Sequence, residues 1–234
     1  MNDGKLTLAL LGTPQVILDG TPVTNFKTSK AQALLHFLAV TRRAHLRATL
    51  ATLLWGDFGD DRARVNLSTA LSEVRRLVGD YVSVHGQTIA FRQDSSYWLD
   101  VECLELALAD WPTHQDSAQL AEAVDLYRGE FLQGFHVHNA AEFEAWQSTE
   151  RERLHGLVVQ GLHLLSNGCA AQGAWSESIA YTKRLLAIEP WREEAHRHLM
   201  RLYAQTGQLV DALRQFQVCI EVLDEELGLS LIHI

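Results

Sequence analysis

The second half of the chain repeats itself at a spacing of 34 residues, and this feature restricts the possible folds more than any other. The matching pairs are Leu165 with Leu199, Gly173 with Gly207, and Leu185 with Cys219. A period of this length is typical of helix–turn–helix units that bury their apolar sides by stacking on one another. The repeat therefore predicts that this half of the protein is built from paired helices.

The second copy of the repeat fits the tetratricopeptide pattern better than the first. Its small and large side chains occupy the positions at which the two helices of such a unit pack, namely Leu199, Tyr203, Gly207, Ala212 and Phe216. Pro190 lies where the first copy is expected to end. Two copies make a short array, so an ordinary helical bundle remains the alternative.

A change of pattern near residue 101 predicts a domain boundary. Strand-like segments occur up to that point, and from Glu102 onward only helical segments separated by Gly or Pro are found. We therefore predict one domain over 1–101 and an all-α, tetratricopeptide-like domain over 102–229. The apolar residues 230–234 follow no pattern, and we expect them to be a truncated or foreign tail.

The first 101 residues predict a small α+β domain, although the whole chain is mainly α. Short strands are expected at 6–11, 15–18, 81–84, 88–91 and 97–101, and helices at 30–40, 46–55 and 62–78. Three helices between small antiparallel sheets describe a winged helix-turn-helix. The turns at 85–87 and 94–96 are both candidates for the tip of the wing.

The helix predicted over 62–78 has one apolar and one polar side. Leu67, Leu71, Val74 and Val78 recur at helical spacing, and Asp60 or Asp61 is expected to cap the helix. The opposite side carries hydrogen-bonding and cationic side chains: Arg64, Ser68, Thr69, Ser72, Arg75 and Arg76. In a helix-turn-helix this helix enters the major groove of DNA, where such groups read base edges or contact phosphates. The alternative is that the polar side is merely solvated.

The charge distribution also favours a DNA-binding N-terminal half. The chain has a net charge of -9, yet residues 1–100 contain 11 basic and 9 acidic residues. Between Lys27 and Arg76 the numbers are 9 and 4, whereas residues 101–234 contain 9 and 20. Cations outside the third helix are further candidates for phosphate contacts: Lys27, Lys30, Arg42, Arg43 and Arg47.

The sequence carries no recognised catalytic or metal-binding motif. It has no GxxxxGK[ST] loop, no GxSxG elbow and no HExxH helix. The pairs His136/His138 and His196/His198 are two residues apart, so their side chains would diverge on a helix. We therefore expect no enzyme activity, no cofactor and no metal. With three scattered cysteines, no signal peptide and no apolar run of 18 residues, we expect a cytoplasmic protein without a membrane partner.

An ordered series of motifs resembles the antibiotic-regulatory-protein (SARP) type of bacterial transcriptional activators. The motifs lie at Leu8–Val16, Lys30–Leu35, Leu54–Asp57, Ala63–Gly79, Leu126–Phe135, Trp146–Leu154 and Tyr203–Gly228. These proteins join an OmpR-type winged helix to a helical bacterial transcriptional activator domain. The resemblance covers residues 5–228, and its specificity comes from the order of the motifs.

The resemblance implies a DNA-binding activator that binds promoter repeats, as a homodimer on DNA, and recruits RNA polymerase. It places Arg64, Asn66, Ser72, Arg75 and Arg76 on the recognition helix. Two different functions remain compatible with the sequence. One is that of a tetratricopeptide interaction scaffold, and the second is that of the N-terminal part of a larger ATP-dependent regulator.

Two residues depart from the family pattern. Ser68 and Glu73 stand where relatives often carry basic or amide side chains. We expect Glu73 to face the DNA and to repel its phosphates.

Overall fold

The computed structural model describes residues 5–114 and 116–227. Its strands are β1 (Leu6–Ala9), β2 (Gln15–Leu18), β3 (Thr21–Pro22), β4 (His45–Leu46), β5 (Val82–His85), β6 (Thr88–Phe91) and β7 (Tyr97–Leu99). Its helices are α1 (Ser29–Thr41), α2 (Arg47–Trp55), α3 (Asp60–Val78), α4 (Asp100–His114), α5 (Ser117–Asp125), α6 (Ala141–Ala171), α7 (Trp175–Ile188), α8 (Glu193–Gln205) and α9 (Leu209–Leu227). The tail predicted at 230–234 lies outside the described residues.

These elements form two compact units. The first contains the described residues of 1–107 together with 125–155, and the second contains those of 108–124 together with 156 onward. Within the described residues, no helix has the length and apolar character that a membrane span requires.

A four-stranded sheet opens the first unit, in the order β3-β2-β1-β7. β1 pairs antiparallel with β2, as the short intervening turn predicts, and parallel with β7, which no local pattern indicates. β1 ends at Ala9, two residues earlier than predicted. The N–H groups of Leu10 and Leu11 instead donate hydrogen bonds to the Asp100 carboxylate, at 2.7 and 2.8 Å.

Three helices form the centre of the first unit. The Thr28 hydroxyl caps α1 by accepting a hydrogen bond from the N–H of Ala31 at 3.2 Å, and the helix ends where Arg42 adopts a left-handed conformation. α3 begins without a side-chain cap, because its N-cap residue is Gly59. The prediction that Asp60 or Asp61 caps it is wrong. Both carboxylates lie in the first turn, where they interact favourably with the helix dipole.

The three-stranded sheet β4-β6-β5 carries the wing. β5 and β6 form an antiparallel hairpin whose two-residue turn begins with Gly86 at a φ of 59°. The turn predicted at 85–87 is therefore the hairpin tip. The turn at 94–96 leads instead to β7 in the other sheet, so its candidacy as a wing is wrong.

The first unit includes a segment that lies beyond the predicted domain boundary. The N–H of Arg128 donates to the carbonyl of Leu11 at 3.1 Å, and that of Leu132 donates to the carbonyl of Leu10 at 2.9 Å. Phe131 and Leu132 are fully buried. Residues 125–155 therefore belong to the same compact unit as the N-terminal residues, because they form hydrogen bonds to the backbone that directly follows β1. The separation into domains 1–101 and 102–229 stays a prediction.

The second unit contains the 34-residue repeat. Gly173 between α6 and α7 has a φ of 75°, and Gly207 between α8 and α9 has a φ of 77°. Glycine adopts this left-handed conformation without the steric cost that a Cβ would add. The predicted helical repeat is confirmed, since equivalent turns separate equivalent helix pairs.

Candidate nucleic-acid interface

α3 buries its leucine and valine side and exposes the predicted polar side. Leu67 and Val74 are fully buried. Six predicted DNA-binding residues are exposed along the opposite side of the helix: Arg64, Ser68, Thr69, Ser72, Arg75 and Arg76. These six residues form the exposed arc of α3, and Asn66 is partly buried at its edge. The same helix thus anchors itself in the core and presents polar groups to solvent.

The three hydroxyl groups of the arc donate hydrogen bonds to the backbone of their own helix. Ser68 donates to the carbonyl of Arg64 at 2.9 Å, and Thr69 to that of Val65 at 3.1 Å. Ser72 donates to the carbonyl of Ser68 at 2.9 Å. With their hydrogens directed inward, these groups offer oxygen lone pairs outward. Such acceptors complement the amino groups of adenine and cytosine in the major groove.

Arg47 connects the arc to the hairpin tip. Its guanidinium donates to the Ser68 hydroxyl at 2.8 Å, and its backbone N–H donates to the carbonyl of Gln87 at 2.9 Å. The start of α2, the exposed side of α3 and the β5–β6 turn are therefore neighbours. This arrangement places a helix and a wing on one surface, as winged-helix DNA binding requires.

Arg75 holds only a weak ion pair at the C-terminal end of the arc. Its guanidinium lies 3.7 Å from the Asp80 carboxylate, and both side chains are well exposed. Exposed pairs of this kind contribute little to stability. Arg75 can therefore exchange Asp80 for a phosphate at small cost.

Lys30 occupies a different environment from the other predicted site residues. Its ammonium donates to the carbonyl of Asn139 at 2.8 Å and lies over the rings of Trp55 and Phe58, at 5.6 and 5.4 Å from their centroids. Burial lowers the pKa of Lys30, while the Asp57 carboxylate opposes this shift. These contacts hold the first unit together. A phosphate contact by Lys30 stays a prediction.

The expectation that Glu73 faces the DNA is wrong. Its side chain is turned inward, the residue is only 8% exposed, and its carboxylate accepts the backbone N–H of Lys27. Glu73 thus ties the segment before α1 to α3. The Glu73 carboxylate is therefore not part of the exposed arc.

Val65 is an arc residue that the sequence prediction of the site does not include. It is 65% exposed and contributes to a shallow groove together with Arg64, Ser68, Thr69 and Ser72. The spacing of 65, 69 and 72 places it on the same side as the hydroxyl groups. Helical periodicity alone would therefore include Val65 in the site. The sequence prediction selected only polar side chains and so left it out.

The pair His196/His198 is part of the helical packing, whereas His136 and His138 are exposed in the segment between α5 and α6. His196 lies 2.7 Å from the carbonyl of Pro190, and His198 lies 3.1 Å from the Ser166 hydroxyl. Across the described part of the chain, no group of three or more His, Cys, Asp or Glu side chains is placed to hold a metal ion.

Comparison with known proteins decides the family. The family model of the bacterial transcriptional activator domain (BTAD) matches residues 101–232, more than half of the chain. The chain belongs to the BTAD family. This BTAD chain is similar to the transcriptional regulatory protein EmbR of Mycobacterium tuberculosis and Mycobacterium bovis, with 24% identity over 240 residues. The match covers 97% of the BTAD chain and 60% of the length of those relatives.

A solved structure has a similar fold. The BTAD chain aligns with M. tuberculosis EmbR in complex with a low-affinity phosphopeptide at a TM-score of 0.69 and 23% identity. The alignment covers 97% of the BTAD chain and 62% of the EmbR chain. The mainly α fold, with small N-terminal sheets followed by helical repeats, is confirmed. The resemblance to SARP-type regulators is confirmed as well.

Proposed function

We propose that this regulator binds promoter DNA through α3 and activates transcription by recruiting RNA polymerase. The observation that carries the proposal is the exposed arc of α3, which lies opposite the fully buried side chains of Leu67 and Val74 and next to the β5–β6 wing. An arc of arginines and hydroxyl groups in this position has the chemistry needed for a major groove.

The arc divides into two kinds of proposed contact. Ser68, Thr69, Ser72 and Arg76 lie on the side of α3 that would face base edges. Arg64, Arg75 and Arg47 flank it and would reach phosphates, which fixes the position of the helix without reading sequence. Asn66 at the edge of the arc is a further candidate.

Two single substitutions test the role of α3. Arg75→Ala and Arg76→Ala should each weaken binding to a duplex selected from a random library by about 5- to 150-fold, the effect of losing one real contact. Arg201→Ala on α8 is the matched control, because Arg201 is also an exposed arginine and lies in the second unit. Fluorescence anisotropy measures all three. If both arc variants bind as tightly as the parent, α3 is not the reading helix.

Salt dependence tests the proposed phosphate contacts. Each contact should lower log K by about 0.9 per decade of salt concentration. Arg75→Ala should therefore reduce the slope, whereas a change confined to base reading should leave it unaltered. A protein-interaction scaffold would show no DNA affinity to lose.

RNA polymerase recruitment and dimer formation on DNA are proposed for the full regulator. The exposed apolar side chains Leu209, Val210, Leu213 and Phe216 make α9 a candidate polymerase contact. Leu213→Ser should reduce transcript yield in a purified transcription assay while leaving DNA affinity unchanged. Footprints on one and on two copies of the site test whether two protomers bind together. Equal transcript yields from the parent and Leu213→Ser would remove α9 from the proposal.

A further inference from the structure

Val65 has a position that core packing does not explain. It lies on α3 opposite the fully buried Leu67 and Val74, and 65% of its surface is exposed. Valine is a weaker helix former than alanine, because its branched Cβ restricts the side chain against the preceding turn. An exposed valine in mid-helix therefore contributes little to folding here.

The surroundings of Val65 indicate what its methyl groups would meet. The groove around it is lined by Arg64, Ser68, Thr69 and Ser72. The three hydroxyl groups direct their hydrogens to backbone carbonyls within α3. Val65 is thus an apolar surface within a row of outward-facing acceptors.

The major groove offers a matching combination of groups. The C5-methyl of thymine is the apolar group displayed there, and the adenine of the same base pair displays an amino donor. A valine next to hydroxyl acceptors complements both at once. Cytosine and guanine display no methyl group at this edge.

We propose that Val65 contacts the C5-methyl group of a thymine and so selects an A·T pair at one position of the binding site. This inference rests on the proposed function, because it requires α3 to lie in the major groove. Thr69 and Ser72 are the acceptors available for the adenine amino group of that pair.

Replacing single thymines by deoxyuridine isolates the contact. Deoxyuridine keeps the pairing with adenine and the O4 acceptor and lacks only the methyl group. The experiment uses the full chain and a duplex selected from a random library, with each thymine replaced in turn. It compares the parent with Val65→Ala and with Val218→Ala, whose valine is 37% exposed on α9 in the second unit.

At one thymine, the replacement should weaken binding by the parent and by Val218→Ala about fourfold, the effect of one buried methyl group. Val65→Ala should bind the thymine and deoxyuridine duplexes equally. The inference is overturned if no thymine shows a methyl effect, or if Val65→Ala loses the same affinity as the parent. Either result leaves DNA binding intact. Failure to select any duplex would overturn the proposed function together with this inference.

Discussion

His36 is a fully buried imidazole in the first unit. Neither of its ring nitrogens has a hydrogen-bond partner among the described residues, and its ring meets the edge of Phe135 at a centroid distance of 5.2 Å. Burial lowers the pKa of His36 to about 3. The folded protein therefore holds this ring in its neutral form.

The low pKa predicts acid sensitivity that originates at one side chain. In the unfolded chain His36 takes up a proton below about pH 6.5, whereas in the folded protein it does so only near pH 3. The free energy of unfolding should therefore fall as the pH decreases from 6.5 toward 3. His36→Leu should remove this pH dependence. For one titrating group, the free energy of unfolding changes by up to about 1.4 kcal/mol per pH unit.

Urea unfolding of the parent and of His36→Leu at pH 7.5, 6 and 5 measures the effect. At pH 7.5 the substitution should be neutral or stabilising, because it replaces an unbonded polar ring by an apolar side chain. The advantage of His36→Leu should then grow as the pH is lowered. A difference between the two proteins that stays constant with pH would contradict the prediction.

Single residues show where sequence reasoning succeeds and where it does not. Helical spacing predicted the exposed side of α3, since Leu67 and Val74 define the buried side unambiguously. It did not predict that Glu73 turns inward, because its partner is the N–H of Lys27, 46 residues away. Helical spacing describes one helix at a time. A buried carboxylate is explained only by the backbone group that it meets.

At the level of secondary-structure elements, Asp100 joins the end of β1 to the start of α4. One carboxylate oxygen accepts the N–H groups of Leu10 and Leu11, and the other accepts the N–H of Val101 at 2.8 Å. Burial raises the pKa of Asp100, although the three N–H groups and Arg128 act in the opposite direction. The carboxylate thus accepts the N–H groups of Leu10 and Leu11, while their carbonyls accept N–H groups of Leu132 and Arg128.

Asp100→Ala should be strongly destabilising for this reason. It leaves the N–H groups of Leu10 and Leu11 buried without an acceptor, at a cost of about 1–3 kcal/mol each. Glu102→Ala is the matched control in the same helix, because its carboxylate pairs with Arg42 at 3.1 Å in a partly exposed position. The control should cost less than about 1 kcal/mol. Chemical denaturation compares the two, and equal losses would show that the buried hydrogen bonds of Asp100 are not decisive.

Local patterns predicted most elements but not the pairing of distant strands. Local sequence patterns identified β1 and β7 correctly as strands. Their parallel pairing places Leu6 opposite Tyr97, and 90 residues separate them in sequence. A register of this kind depends on tertiary packing, since nothing in the intervening turns specifies it. The same limit explains why local signals alone make the turn at 94–96 a candidate for the wing.

On the scale of the whole molecule, repeat spacing and motif order predicted the fold class. They did not predict that residues 125–155 belong to the same compact unit as the N-terminal residues. The helical repeat was predicted from residues that recur 34 positions apart, among them Gly173 and Gly207. The membership of 125–155 in the first unit depends on backbone hydrogen bonds to Leu10 and Leu11, which no periodicity reports. Whether 1–101 folds as a separate domain is therefore an energetic question.

The buried side chains of 125–155 predict that the fragment 1–101 is unstable on its own. Phe131, Leu132 and Phe143 are fully buried in the first unit, and Trp146 contacts Phe37 at a ring-centroid distance of 4.8 Å. Burial of three such side chains contributes about 5–9 kcal/mol, which is comparable with the total stability of many domains. Without this segment, the surface formed around Leu11 and Phe37 would be exposed to water.

Three proteins test this prediction: the full chain, the fragment 1–101, and a chimera in which a Gly/Ser linker replaces 108–124 between 1–107 and 125–155. The chimera restores the first unit without the residues that belong to the second. It should unfold cooperatively in urea and bind the selected duplex as a folded unit, whereas 1–101 should show no cooperative transition. If 1–101 is instead as stable as the chimera to within about 1 kcal/mol, which is a clear margin for such measurements, the domain boundary lies at residue 101. The contacts of 125–155 would then stabilise a domain that already folds without them.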